Sequence, residues 1–333
     1  MMKTATEGKE DFQCLVVLSF DEMKIKTTYE YDTKHDQIIG PYSQMQMLLA
    51  RGLFNNWKQP LFVDFDRRMT NAILFSVISK LHQIGYKVVA VVSDMSGSNH
   101  TLWKTLQINE NKSWCMHPIS SENIYFLADV PHLLKLICNW LLDTGFVLSD
   151  NSIISKTPLL ELLKINAGEY EICCKLTETH ILCKKSQRQN VSLASQLFSE
   201  TTAVALERYK PGSDPKLCCD LAHFIKEVNN WFHIFNSYTP EIFGFPCKSA
   251  YGKYITTQDA AIDKFCKTVK NMRCIGKKSL QVFQKGVLIS STSLKSLLHY
   301  VKEKYNRSYI LTSFKSRRSR KFIFAFKEQR RTR

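Results

Sequence analysis

Two apolar runs in this chain each end in an aspartate, and that placement limits its possible folds more than any other feature. The first is Cys14-Leu15-Val16-Val17-Leu18-Ser19-Phe20-Asp21, and the second is Val88-Val89-Ala90-Val91-Val92-Ser93-Asp94. Both are short, rich in β-branched residues and without polar alternation, as strands covered on both faces are. A lone aspartate at a strand end is ordinarily a solvated turn residue. On neighbouring strands, two of them bring carboxylates together, and such a pair suits divalent cations that activate an attacking oxygen and stabilise a leaving one.

The order of elements decides whether the two aspartates meet. Strand 14–25 is followed by a second candidate strand, Thr27 to Ile39, and a third, Pro60 to Phe65. Next come a helix with Ile73, Val77, Leu81 and Ile84 on one face, strand 87–93, a short helix over Asn99 to Leu106, and a fifth strand, Ile124 to Leu127. This is the chain order of the ribonuclease-H-like fold, an α/β class with a mixed sheet in which the first and fourth strands are neighbours. Asp21 and Asp94 are then adjacent. Asp64 and Asp66 fall on an edge strand and read as surface residues. Asp129 also stands at a strand end, two residues before Pro131. It reads first as a cap of the following helix and second as a metal ligand.

The length of 333 residues accommodates two domains. A polar tail covers 1–13, and the ribonuclease-H-like domain covers 14–147, up to the polar stretch Ser149-Asp150-Asn151-Ser152. A mainly helical domain, inserted in the first, covers 152–300. Its clearest helix runs from Leu221 to Asn236, with Leu221, Phe224, Ile225, Val228, Trp231, Phe232 and Phe235 at helical spacing, and a break follows at Pro240, Gly244 and Pro246. A return segment covers 301–333.

Several long strings carry a resemblance: FDEMKIK (20–26), VSDMSGSNHTLWKTL (92–106), IYFLADVPHLLKLICNWLLDTGF (124–146), RQNVSLASQL (188–197) and QKGVLIS (284–290). In this order they resemble the P-element-type DNA transposases, including the THAP-domain transposases of animals, over roughly residues 14 to 312. The resemblance implies a DDE catalytic triad that uses Mg²⁺ or Mn²⁺ to cut and rejoin DNA. Asp21 and Asp94 match its first two acids as catalytic residues and metal ligands. It further implies DNA as partner, both transposon ends and target, with a homo-oligomer or a full-length transposase as a protein partner, and a nuclear location. Members of the family commonly open with a zinc-binding THAP domain and a coiled coil, whereas this chain begins almost at the first catalytic strand.

The third acid of the family is a Glu in a segment of the form QDxxENxFSxxR, expected just after Tyr309-Ile310-Leu311-Thr312. Here the chain reads Ser313-Phe314-Lys315-Ser316-Arg317-Arg318-Ser319-Arg320-Lys321. Synonymous codons exist for this tail that, read one base later, encode SSQDVVENLFSHLRSKGGP. The tail therefore reads as frameshifted near codon 313, with the lost Glu codon straddling Arg320 and Lys321. This changes the meaning of the net charge of +16, because residues 313–333 hold nine Lys or Arg and one Glu, half of that total. The remainder is only modestly basic for a nucleic-acid-binding surface. A nuclear localisation signal or DNA-binding arm is the alternative reading of Lys315 to Lys321.

The helical region resembles the family's GTP-binding insertion. No Walker-type GxxxxGK[ST] occurs, so residues alone do not propose a nucleotide. By resemblance the GTP contacts fall on Lys175, Val191, Phe232 and Asn236. The family pattern there is WFDxFN; this chain has His233 in place of the Asp whose carboxylate accepts from guanine, and Phe232 and Phe235 read equally as helix core. The eleven cysteines are an odd number with no CxxC spacing, which fits a reducing compartment. No apolar stretch is long enough to cross a bilayer, and no membrane role is expected. Three functions follow: a P-element-like transposase domain of poor activity as written, a catalytically silent relative that binds DNA, nucleotide or full-length transposase, and a general Mg²⁺ nuclease using Asp21, Asp94 and Asp129.

Overall fold

A computed structural model describes residues 8–27, 29–33, 35–166, 172–173, 176–184, 186–212 and 214–313. The first half contains β1 (Leu15–Lys24), a hairpin of β2 (Glu30–Asp32) and β3 (Gln37–Ile39), β4 (Gln44–Gly52), β5 (Lys58–Phe65), α1 (Asn71–Gln83), β6 (Lys87–Ser93), α2 (Gly97–Thr105), β7 (Trp114–Met116) and β8 (Asn123–Ala128). The main sheet has the order β5-β4-β1-β6-β8-β7. It is mixed, since β6 runs parallel to both β1 and β8 while β4 runs antiparallel to β1 and β5. The first and fourth long strands are thus neighbours, as the element order requires.

The second strand of this sheet is not the expected one. Thr27 to Ile39 yields only the short β2–β3 hairpin, a separate two-stranded sheet. The partner of β1 is β4, whose start, Gln44-Met45-Gln46-Met47, has weak intrinsic strand preference and becomes a strand by pairing along β1 from Val16–Gly52 to Lys24–Gln44. Asp64 and Asp66 do fall at the sheet edge, where Asp66 accepts from Ser43 and Gln44 and Asp64 lies 3.3 Å from Arg67. The buried stripe of α1 is Leu74, Ile78 and Leu81, with Ile73, Val77 and Ile84 only half buried, so the expected face is rotated by about one residue.

The second half contains α3 (Val130–Asp143), β9 (Phe146–Val147), β10 (Ile153–Ile154), α4 (Thr157–Ile165), α5 (Glu178–Ile181), α6 (Val191–Leu197), α7 (Glu200–Tyr209), α8 (Pro215–Ile234), α9 (Ile255–Asn271), β11 (Arg273–Cys274) and α10 (Val282–Tyr305). Asp214 starts α8 by accepting from Lys216 and Leu217 N–H, and Pro215 suits the first helical position. All seven apolar residues expected on its inner face are buried.

The boundary at residue 300 read from the sequence cuts through α10, whose inward face meets the main sheet. β7 is too short to pair all of β8, and hydroxyls of α10 complete the unpaired edge. Ser290 Oγ accepts from Ala128 N–H, and Ser293 Oγ donates to the Phe126 and Ser113 carbonyls. Such bonds remove the cost of buried unpaired backbone groups. Gly286 allows the close approach, because a Cβ there would stand 2.8 Å from Leu133 Cδ2 and 3.3 Å from Ala128 Cβ.

Candidate active site

β1 and β6 stay paired through Phe20–Ser93, so Asp21 and Asp94 each stand one residue beyond the last parallel pair. Asp21 is not at a strand end, since β1 continues to Lys24 against β4. What ends at Asp21 is the pairing to β6, which opens the sheet there. Backbone and side-chain groups fix the position of both residues. Gln46 Nε2 donates to the Asp21 carbonyl at 3.3 Å, and the Ser93 hydroxyl donates to the Asp94 carbonyl while accepting from Trp103 Nε1, both at 3.0 Å.

The carboxylate of Asp94 is held through Oδ1, which accepts from Asn99 Nδ2 at 2.6 Å and Ser96 N–H at 3.2 Å. Asn99 is buried on the first turn of α2. Donors that fix a carboxylate in this way are the kind that orient metal-binding carboxylates. Glu22 is tied to the same helix by Ser98 Oγ at 2.8 Å. Hard oxygen donors of this kind fit Mg²⁺ or Mn²⁺. Among the described residues no group of three or more His, Cys, Asp or Glu is arranged to hold a metal ion.

Asp129 occupies the N-cap position of α3, yet its carboxylate makes no capping bond, which corrects the first reading of this residue. The carbonyl of Asp129 accepts from His132 and Leu133 N–H, and its own N–H donates to Ser93 O at 2.7 Å. This locks β8 to β6 where both strands end. The buried side chain lines a cleft together with Val92, Asn236, Thr312 and Ser313.

The cleft is built by the return segment after α10. Thr312 Oγ1 donates to the Ile234 carbonyl and accepts from Ser237 N–H, Ser313 N–H donates to Ser237 O, and Arg51 of β4 donates to the Ser313 carbonyl. Burial lowers the pKa of Arg51. The C-terminal end of α8, the end of β4 and residues 310–313 are therefore joined at the cleft that Asp129 lines. Sequence reasoning missed Asn99, Ser96 and Arg51; Asn99 and Ser96 do lie within the string after Asp94.

Of the expected nucleotide contacts, Asn236 is in this cleft, 3.5 Å from Ser313 Oγ. Phe232 is in the core at 7% exposure, and Val191 is half buried at the first residue of α6. Lys175 lies outside the described residues, as does the tail in which the third acid was sought. Burial, with Lys248 nearby, pushes His233 down to about 4, so its imidazole is neutral at pH 7.

Comparison with known proteins agrees with this architecture. Residues 1–107 match the family model "TNP-like, RNase H N-terminal domain", and residues 131–248 match "TNP-like, GTP-binding insertion domain". The structure superposes on a chain of the Drosophila P element transposase strand transfer complex with a TM-score of 0.88 at 36% identity, covering 93% of this chain and 71% of that one. The chain belongs to the P-element transposase family. It is 37% identical over 310 residues to the Transposable element P transposase of Drosophila melanogaster, covering 92% of this chain and 41% of that protein. It is 32% identical over 206 residues to the DNA transposase THAP9 of Homo sapiens, covering 59% and 23% respectively. The chain thus spans well under half the length of either relative. Its fold is that of a P-element transposase: a ribonuclease-H-like mixed sheet followed by a helical insertion region.

Proposed function

We propose that this chain is the core of a P-element-type DNA transposase that cuts DNA hydrolytically and joins a freed 3′ hydroxyl to target DNA, acting in the nucleus. Asp21 and Asp94 are its metal ligands. The observation that supports the reading is the parallel pairing that ends at Phe20–Ser93, after which Asp21 and Asp94 are the next residues on neighbouring strands. Divalent ions bound there supply activation of the attacking oxygen and stabilisation of the leaving one. The protein's part is to hold Asp94 through Asn99 and Ser96, and to bring the return segment to the cleft through Arg51 and Ser237.

As written, the chain has Phe314 to Lys321 where the resemblance puts the third acid, and loss of one ligand weakens metal binding. Low activity follows, and a silent relative that binds DNA or a full-length transposase is the second reading. The test is cleavage of labelled duplex DNA with Mg²⁺ or Mn²⁺ by this chain and by one carrying the tail of the shifted frame. Activity is expected in the restored chain and lost in its Asp94→Ala variant; cutting that survives Asp94→Ala sinks the metal-site assignment. Loss on Asp129→Ala in the chain as written would favour the general nuclease instead.

For GTP, the match to the insertion-domain model is the support, and the residues fit incompletely. Asn236 offers an amide at the cleft, Phe232 is taken up by the core, and neutral His233 offers no anionic acceptor to guanine. His233→Asp is expected to raise selectivity for GTP over ATP in a binding titration. An unchanged ratio would remove that position from the base site.

A further inference from the structure

Between α8 and α9 the chain displays three aromatic rings to solvent within eight residues: Tyr238 at 72% exposure, Phe243 at 97% and Phe245 at 53%. Single exposed apolar residues are ordinary, but a cluster of large rings on one segment marks a contact surface. A mobile loop would fold such rings inward; this one is held from beneath. Buried Ser249 accepts from Ile242 N–H, and buried Gln258 donates to the carbonyls of Pro246, Ser249 and Ala250. Phe245 N–H closes a four-residue turn on Ile242 O, with Gly244 at φ +76°. Phe243 is therefore at the corner of a pinned turn, where its ring points outward.

Charges of both signs lie on this segment, and Lys248 is the cation that meets one of the three rings. Lys248 Nζ lies 4.2 Å from the centre of the Phe245 ring, and Lys253 Nζ lies 5.0 Å from that of Tyr309. The nearby acids are engaged, Glu241 by Tyr254 and Asp259 by Tyr251. Both ends of the loop are clamped to the return segment, Ser237 to Thr312 and Tyr251 to Ile310 in paired backbone bonds. Thr312 in turn lines the cleft with Asp129.

We infer that Tyr238, Phe243 and Phe245, with Lys248, form a stacking platform for unpaired nucleotides of a DNA strand beside the cleft lined by Asp129 and Thr312. Outward-held rings with a lysine beside them suit a single strand, whose bases stack on aromatic faces while an ammonium group meets a phosphate. The inference rests on the DNA-acting reading above. It adds a place where a frayed or cut strand end is held beside that cleft.

The test is fluorescence anisotropy of a labelled single-stranded oligonucleotide and of its blunt duplex with the full chain, without metal. Phe243→Ala and Tyr238→Ala are each expected to weaken single-strand binding about tenfold, the scale of one base–ring stack, without changing the salt dependence. Lys248→Met is expected to reduce the slope of log affinity against log salt by about 1. Phe243→Trp is expected to keep the affinity, with its emission quenched by the oligonucleotide. Phe243 and Tyr238 are largely exposed, so their variants are expected to fold, and circular dichroism checks each variant. Unchanged affinity in Phe243→Ala overturns the platform, as does loss of self-association in sedimentation with DNA binding intact, which would make the rings a protein-docking surface. Binding without metal is independent of whether Asp21 and Asp94 support cutting, so this inference and the active-site reading fail separately.

Discussion

At the scale of single residues, the position of Asp94 depends on what donates to it as much as on where its strand stops. Asn99 and Ser96 N–H both meet Oδ1, and the bond from Asn99, at 2.6 Å, is charge-assisted and short. Asn99→Ala removes that bond and leaves the longer one from Ser96 N–H to hold the carboxylate. Mn²⁺ affinity of the chain is expected to fall about 10- to 100-fold, the usual cost of losing a supporting contact to a metal ligand. A Mn²⁺ titration checks this, with circular dichroism to confirm the fold; unchanged affinity would leave Asn99 only a packing role. Asp21 and Asp94 were legible in the sequence because an acid at the end of a buried apolar run is conspicuous. Asn99 was not, because a polar residue on the first turn of a short helix looks the same whether it faces water or a buried carboxylate. The cap expected of Asp129 failed for a related reason: its strand-end position and the following Pro131 are both legible, but whether the carboxylate turns to the first turn of α3 depends on tertiary packing.

At the scale of elements, α10 carries the clearest lesson. Its string QKGVLIS supports the family resemblance, yet only the structure shows why small residues stand there: Gly286 admits Leu133 and Ala128, and Ser290 and Ser293 complete the bonding of β8. Gly286→Val adds three carbons, the first of them already 2.8 Å from Cδ2 of fully buried Leu133. Helix propensity gains less than about 1 kcal/mol from losing glycine, while overpacking costs about 1–3 kcal/mol, so the variant is expected to be destabilised by about 2 kcal/mol. Urea denaturation with an unchanged m-value checks it, and a variant as stable as the parent would mean that α10 can slide on the sheet. The expected strand at Thr27 to Ile39 and the observed β4 show the opposite case, in which local preference is overridden by pairing. β1 needs a partner on its free edge, and 44–52 reaches it in register.

At the scale of the whole molecule, the far end of the sheet is tied by one carboxylate between two ammonium groups. Glu122 contacts both Lys87 of β6 and Lys304 of α10, and it accepts from Tyr300 at 2.9 Å. Burial and the neighbouring Lys304 push Lys87 down to about 8. In the folded state Lys87 thus binds its proton less tightly than in the unfolded chain. The cost of burying its charge is fully present below pH 8 and is relieved as pH rises from about 8 toward 10.5, so this group makes stability increase across that window. Lys87→Met is expected to flatten the dependence between pH 8 and 10, measured by denaturant midpoints at each pH. Glu122→Gln leaves two cations facing each other and is expected to cost about 1–3 kcal/mol at pH 7, less than for a fully buried pair because the groups are partly hydrated. Among the described residues, ten cysteines are free and no helix is long and apolar enough to cross a membrane.

The sequence by itself determined the class of fold, the adjacency of the strands that carry Asp21 and Asp94, the main helix of the insertion region and the family. All of these rest on periodicity, apolar runs and string order, which are properties of the chain read locally. Tertiary structure alone decided which segment pairs with β1, that α10 lies on the sheet, that Asn99 and Arg51 support the cleft, and that Phe243 is held outward. Each of these depends on contacts between residues far apart in sequence, and no local pattern encodes which buried polar group, edge strand or turn will find its partner across the fold.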